Sequence, residues 1–253
     1  FEPSLIYDTY ACRKGKGTLA AVFRYDAFVR RLKGEGFVLK CDIHHYFASI
    51  DHEILKAILC RKIGDWKLLR LLDSLIDTHK ENGTKGIPIG NLTSQLFANI
   101  YLSPLDHFIK EQMRQRHYIR YMDDFVILGQ DKRYLWKVLD DVRTYLAVYL
   151  KLELNHRRVA VMPIEKGIDF LGYVIYPDGY KRIRRRNVKN FRRRLKRLAI
   201  EYTEGATPYD KARSSIASWL GLARHANAFK LSCKIFLEHD VQNIGKRLMV
   251  KSS

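Results

Sequence analysis

The sequence predicts an α+β architecture on three observations. Short β-rich runs alternate with longer stretches, two of the runs flank a carboxylate-bearing turn, and the apolar residues of the longer stretches recur at helical spacing. In chain order, Phe37-Val-Leu-Lys-Cys-Asp42-Ile43 reads as a short buried strand, after which Asp51 can N-cap a helix carrying Ile54, Leu55, Ile58 and Leu59 on one face. A second helix runs through Trp66, Leu69, Leu72 and Ile76. Gly83, Gly86, Pro88 and Gly90 punctuate a loop that opens a third helix from about Thr93 through Leu96, Phe97, Ile100 and Tyr101, which Pro104 interrupts or kinks. Tyr118-Ile-Arg-Tyr121 and Phe125-Val-Ile-Leu128 are β-rich runs on either side of Met122-Asp123-Asp124, the signature of a hairpin with carboxylates at its tip. A helix follows through Leu135, Val138, Leu139, Val142 and Leu146, then two strand-like runs, Arg158 to Met162 and Ile168 to Tyr176, parted by Pro163 and Gly167.

Beyond the turn Pro177-Asp178-Gly179 the composition changes, and a boundary is placed there. Val188, Phe191, Leu195 and Leu198 make the apolar stripe of a helix whose other faces carry Lys189, Arg192, Arg193, Arg194, Lys196 and Arg197. The segments around Ala217-Ser-Trp-Leu-Gly221 and from Ala228 to Leu237 also read as helical.

At 253 residues, 47% hydrophobic and 29% charged, the chain is a folding one with room for one large domain or two small ones. A formal net charge of +19 points to a polyanionic partner. From Asp178 onward 19 Lys and Arg stand against 6 Asp and Glu, and eleven of those cations lie between Lys181 and Arg197 without one acid. A solvated basic face is the ordinary origin of such a run, but so many like charges repel unless counter-charge is supplied, which favours phosphate binding. No apolar run approaches the roughly 18 residues of a bilayer span, and the N-terminus lacks the order of a signal peptide. Cys12, Cys41, Cys60 and Cys233 are scattered without paired spacing, which fits reduced thiols in a cytoplasmic protein and no structural zinc. His44-His45 reads as local surface chemistry rather than a ligand pair, and the start on Phe1 suggests a chain whose N-terminal part is missing.

Three acids carry the candidate chemistry. Asp42, Asp123 and Asp124 each follow or interrupt a buried strand, where a charge is costly unless paired. Singly, each reads equally well as a turn former. Together they have a chemical use: two Mg2+ ions about 3.5 to 4 Å apart on carboxylates can activate an attacking 3'-hydroxyl and stabilise a departing pyrophosphate.

Tyr121-Met122-Asp123-Asp124 between two β-runs resembles the catalytic hairpin of reverse transcriptases, and Cys41-Asp42-Ile43-His44-His45-Tyr46-Phe47 resembles their first metal-binding motif. Gly86-Ile-Pro-Ile-Gly90-Asn-Leu-Thr-Ser94-Gln95 is similar to the substrate-binding motif between them, and Phe170-Leu171-Gly172-Tyr173 to the primer grip. Four motifs in family order cover the chain from about residue 6 to residue 237. Tyr7-Asp-Thr-Tyr10-Ala-Cys-Arg13-Lys-Gly-Lys16-Gly-Thr18, the stretch Ile87-Pro-Ile-Gly-Asn-Leu-Thr-Ser-Gln-Leu-Phe-Ala-Asn-Ile-Tyr101, with Ile89 and Gln95 where retroviral and group II intron enzymes typically carry Gln and Pro, and Ser218-Trp-Leu-Gly221 are most similar to the reverse transcriptases of diversity-generating retroelements, a bacterial and phage group. Retron-like, intron-encoded and CRISPR-associated lineages are the alternatives, and a catalytically idle RNA-binding scaffold the reading from another class.

The resemblance implies a polymerase right-hand fold: partial fingers over residues 1–36, a ferredoxin-like, RRM-like palm over 37–177 and an all-α basic thumb over 178–253. It implies RNA-directed DNA synthesis that is error-prone at template adenines, with Mg2+, or Mn2+ in its place, held by Asp42, Asp123, Asp124 and the Ile43 carbonyl. Phe47 matches the steric gate against a 2'-hydroxyl, its other reading being a core aromatic, and Ile89, Gly90 and Ser94 would line the nascent base pair. Arg13, Lys14 and Lys16 fall in the segment that cradles a triphosphate, and Arg184, Arg185, Arg186, Lys189, Arg193 and Arg197 would grip the RNA/cDNA duplex. Asn155-His156-Arg157-Arg158 stands where relatives carry a Lys proton donor, which leaves the general acid unassigned. The implied partners are a template RNA, deoxynucleoside triphosphates and a small basic accessory variability determinant, with no membrane.

Overall fold

A computed structural model of the chain describes residues 1–78, 83–88 and 90–238. Its contacts divide into two compact units, Phe1–Lys166 and a second from Gly167 onward. The first contains α1 (Thr18–Arg31), β1 (Phe37–Asp42), α2 (Tyr46–Ser49), α3 (His52–Cys60), α4 (Trp66–Asp77), α5 (Leu92–His107), β2 (Tyr118–Tyr121), β3 (Asp124–Gly129), α6 (Lys132–Leu150) and β4 (Ala160–Pro163). Asp51 caps α3 as expected, accepting from the Ile54 N–H at 3.1 Å.

The four strands form one antiparallel sheet in the order β2-β3-β1-β4. Leu39 and Cys41 of β1, Tyr118 of β2 and Phe125 and Ile127 of β3 enter one core with Phe97, Ile100, Tyr101 and Leu105 of α5 and Leu135, Val138, Leu139, Val142 and Leu146 of α6. Side chains alternate along a strand. Cys41 pairs with Phe125 toward the helices, so the next pair in register, Asp42 with Asp124, faces the other way. The acids thus end two adjacent strands on the side of the sheet that α5 and α6 leave uncovered.

Pro104 does not interrupt its helix. α5 runs on to His107 and a π turn, Phe108–Gln112, follows. Proline removes one backbone bond, and the burial of Ile100, Tyr101, Leu102 and Leu105 around it holds the helix together. The run Ile168 to Tyr176, expected as one strand, is a hairpin of β5 (Ile168–Phe170) and β6 (Tyr173–Ile175). Leu171 and Gly172, with φ of 49° and 94°, turn the chain through the left-handed region that two-residue hairpin loops use.

A further strand that periodicity did not show, β7 (Lys181–Ile183), completes this second sheet. The unit continues with α7 (Arg185–Thr203), α8 (Tyr209–Ala223) and α9 (Phe229–Glu238). The predicted stripe packs: Phe191, Leu195 and Leu198 are buried. Phe191 stacks on Trp219 with ring centroids 4.2 Å apart, and Trp219 Nε1 donates to Ser232 Oγ. The packing division therefore falls ahead of the composition change at Asp178. Among the described residues no helix is long and apolar enough to cross a membrane. Cys12, Cys60 and Cys233 are exposed thiols and Cys41 a buried one.

Gly36 shows how tightly the sheet is joined. Its φ is +94° and a Cβ there would sit 2.5 Å from the Gly129 carbonyl oxygen. Gly36→Ala is expected to cost about 1–3 kcal/mol in a denaturant unfolding experiment. Gly64→Ala, in open space, should leave the midpoint close to wild type.

Candidate active site

The β2–β3 register pairs Tyr121 with Asp124 and leaves Met122 and Asp123 as a two-residue loop. Met122 has φ of 57°, a left-handed conformation that a Met side chain disfavours, so something must hold it. That restraint is Arg120. Its Nη1 donates to the Met122 carbonyl at 2.9 Å, while Nε and Nη2 donate to Asp106 Oδ1 and Oδ2 at 2.7 and 2.6 Å. Both partners are wholly buried. Tyr118 Oη donates to Asp106 Oδ1 at 2.7 Å, Thr9 Oγ1 to Oδ2 at 3.2 Å, and the Asn99 side chain and carbonyl accept from the guanidinium at 3.3 Å. With its charge matched and its donors used, the pair escapes the penalty of a lone buried ion. Neither Arg120, Asp106 nor Asn99 was singled out from the sequence. Period two carried the signal for Arg120: two residues after core-facing Tyr118, it had to point into the helix layer as a buried charge.

Asp42 is 5% exposed at its side chain and held on both oxygens, Oδ1 accepting from Asn155 Nδ2 at 3.2 Å and Oδ2 from Arg158 Nη1 at 2.8 Å. The Asn155 N–H also donates to the Asp42 carbonyl. Asp123 and Asp124 are half-buried. Burial raises the Asp123 carboxyl, helped by the charge of Asp42, against its own backbone N–H and the more distant Arg158 and Arg120, which lower it. Burial pushes Asp124 up to about 6; Lys40 opposes this, while Asp123, Asp42 and a hydrogen bond shared with Asp42 add to it. Asp42 and Asp123 line a cavity of about 620 Å³ with Ile43, His44, His45, Tyr46 and the segment Glu153 to Arg158.

Among the described residues no three His, Cys, Asp or Glu side chains are gathered to hold a metal ion, and Asp42 is held by Asn155 and Arg158. The donor set nevertheless suits a divalent cation: hard carboxylate oxygens crowded enough to resist ionising call for positive charge. Ile43 bridges Leu154, and the two hydrogen bonds of that bridge run from His44 and Asn155, so neither uses the Ile43 carbonyl. His44 and His45 are exposed, their rings edge to face at 4.1 Å.

The remaining residues singled out from the sequence divide. Phe47 is half-buried against the core, and its carbonyl accepts from the Ile87 N–H. Gly90 has φ of +101° in open space, Ser94 is buried in the first turn of α5, and Ile89 lies outside the described residues. Arg13 is committed internally: it pairs with Glu2 at 2.8 Å and donates to the Ile6 and Thr9 carbonyls. Lys16 lies over the Tyr7 ring and donates to the Tyr7 carbonyl; burial, then Arg13, lowers its pKa. Lys14 is exposed.

In the second unit Phe170 and Tyr173 are buried on either side of the Leu171-Gly172 turn. Arg184 donates to Asp169 at 2.6 Å, Arg193 to Asn190, and Arg197 pairs with Glu201, while Arg185, Arg186 and Lys189 are exposed.

Two outcomes follow. Arg120→Met strands a buried carboxylate and should cost about 3–5 kcal/mol, most of it regained in Arg120→Met/Asp106→Leu, read by denaturant unfolding. A carboxyl whose pKa is raised by folding binds its proton more tightly in the native state, so stability falls as pH rises through the window from about 4 to about 6. Asp124→Asn should therefore be more stable than wild type above about pH 6, by up to roughly 2 kcal/mol, with the gap closing below about pH 4.

Comparison with known proteins places the chain in a family. Residues 3–175 match the family described as reverse transcriptase (RNA-dependent DNA polymerase). Protein YkfC of Escherichia coli K12 is 26% identical over 175 residues, 54% of this chain and 46% of that protein. The group II intron-encoded protein LtrA of Lactococcus lactis subsp. cremoris is 23% identical over 215 residues, 58% of this chain and 36% of that one. The truncated apo telomerase of Candida tropicalis shares the fold, with a TM-score of 0.54 and 17% identity over 70% of this chain and 41% of that chain. The chain spans less than half the length of each of these proteins. With the family match extending over more than half of its residues, the chain belongs to the reverse transcriptase (RNA-dependent DNA polymerase) family.

Proposed function

We propose that the chain is the catalytic part of an RNA-directed DNA polymerase that extends a primer along a template RNA with deoxynucleoside triphosphates. The observation that carries this is the register that ends β1 and β3 on Asp42 and Asp124, with Asp123 beside them and a cavity large enough for a nucleotide in front. Asp42, Asp123, Asp124 and the Ile43 carbonyl would hold the divalent cations, Mg2+ or Mn2+. Bound there, such ions supply Lewis-acid activation of a 3'-hydroxyl and neutralise charge on the departing pyrophosphate. The protein's own part is to seat these oxygens on strand ends, with Asn155 holding the Asp42 carboxylate and Arg120 holding the hairpin loop through the Met122 carbonyl.

Phe47 would exclude a 2'-hydroxyl, with Gly90, Ser94 and Ile89 beside the nascent pair. Lys14 and Lys16 are the cations proposed to approach the triphosphate, Arg13 being spent on Glu2. Phe170–Tyr173 would steady the primer, and Arg185, Arg186 and Lys189 are the exposed cations best suited to duplex phosphates, alongside Arg184, Arg193 and Arg197. The division into partial fingers, palm and basic thumb belongs to the same reading. Ile89 and the neighbouring motif support a diversity-generating lineage with error-prone copying and an accessory variability determinant, whereas the likeness to LtrA favours an intron-encoded lineage.

Primer extension on a primed RNA with Mg2+ and deoxynucleotides tests the activity. Asp123→Asn is expected to lower extension at least ~100-fold, and equal extension by variant and wild type would reject the site. Sequencing the products separates the lineages: errors concentrated opposite template adenines support the diversity-generating one, and an even, low error rate removes it.

A further inference from the structure

The cation that now faces Asp42 is part of the protein. Arg158 Nη1 lies 2.8 Å from Asp42 Oδ2, and the charges of Asp124 and Asp123 act on the same guanidinium. The two partners are unequally placed: the Arg158 side chain is 65% exposed, that of Asp42 only 5%. Opening the pair would return the guanidinium to water at little cost but strand a buried carboxylate, so the pair opens readily only when another cation takes Asp42.

The rest of the segment is anchored independently. Asn155 holds Asp42 through Nδ2 and its backbone N–H, and the Arg158 and Val159 N–H groups donate to the Asn155 carbonyl. The guanidinium can therefore leave while the backbone that carries it stays, and it would leave toward the cavity whose wall it already forms.

We propose that Arg158 is an exchangeable counter-ion of Asp42, a positioning residue that competes with the divalent cation and so sets how tightly that cation binds. This rests on the reading of Asp42 as a metal ligand. Arg158 and Asn155 hold the carboxylate by both of its oxygens, and occupancy of the site requires displacement of one unit of positive charge.

The test is Mn2+ binding to the whole chain, followed by the loss of the free-ion EPR signal, with no catalysis involved. Arg158→Gln is expected to bind Mn2+ about 3- to 10-fold more tightly than wild type, the range for losing one charge-assisted pair to an exposed partner. Arg157→Gln removes the same charge one position away, from a residue lining the same cavity, and should stay within about twofold of wild type. Asp42→Asn should lose most of the binding. If Asp42→Asn weakens binding but Arg158→Gln leaves it at the wild-type value, or if Arg157→Gln tightens it equally, the counter-ion role is overturned and the metal-site reading stands. If Asp42→Asn binds as wild type does, the metal-site reading itself fails.

Discussion

The ion pair between Arg120 and Asp106, sealed from water, is the interaction on which the proposed active site depends. A β-hairpin loop of two residues with Met at a left-handed position does not hold its shape by local preference. It holds because a guanidinium fixed on α5 through Asp106 reaches under the sheet and takes the Met122 carbonyl. The same guanidinium ties in Asn99, and the Arg120 backbone exchanges hydrogen bonds with Asp8 and Tyr10 of the N-terminal segment. One buried charge thus joins three separated stretches of chain at the point where Asp123 leaves the sheet. A hydrophobic replacement could match its contribution to stability, but it could not direct a carbonyl.

Above that anchor the acids oppose one another. Burial and mutual repulsion raise Asp123 and Asp124, while Arg158 and Asn155 hold Asp42. On the proposed reading, this carboxylate crowding beside an exposed Arg158 is what a small divalent ion would relieve. The fold accepts this local cost because the helix side of the sheet is a large apolar core whose buried charge pair, Arg120 with Asp106, is internally matched.

Much of this was legible before any coordinates. The β-rich runs placed the acids at strand ends, Asp51 announced a helix start, and the apolar stripe of α7 was read residue by residue. What escaped was set by tertiary context. Pro104 stays helical because buried neighbours outweigh one lost hydrogen bond, and the break at Leu171-Gly172 depends on a left-handed Leu that sequence preference argues against. Arg13 looked like a phosphate ligand because a basic glycine-bearing loop is ambiguous without its partner, and that partner, Glu2, lies eleven positions away. Arg158 was noticed only for not being a lysine. Its pairing with Asp42 joins two segments more than a hundred residues apart, a contact that no local pattern encodes.

The register of β1 against β3 also constrains how such a gene can change. Cys41 opposite Phe125 and Asp42 opposite Asp124 are consecutive pairs on opposite faces. Inserting or deleting one residue within either strand would carry a carboxylate into the helix-packed core and a core side chain out to the site. Copying slips of one codon are therefore far more damaging here than single substitutions. Length variation should be confined to loops such as that around Gly64, which has open space about it.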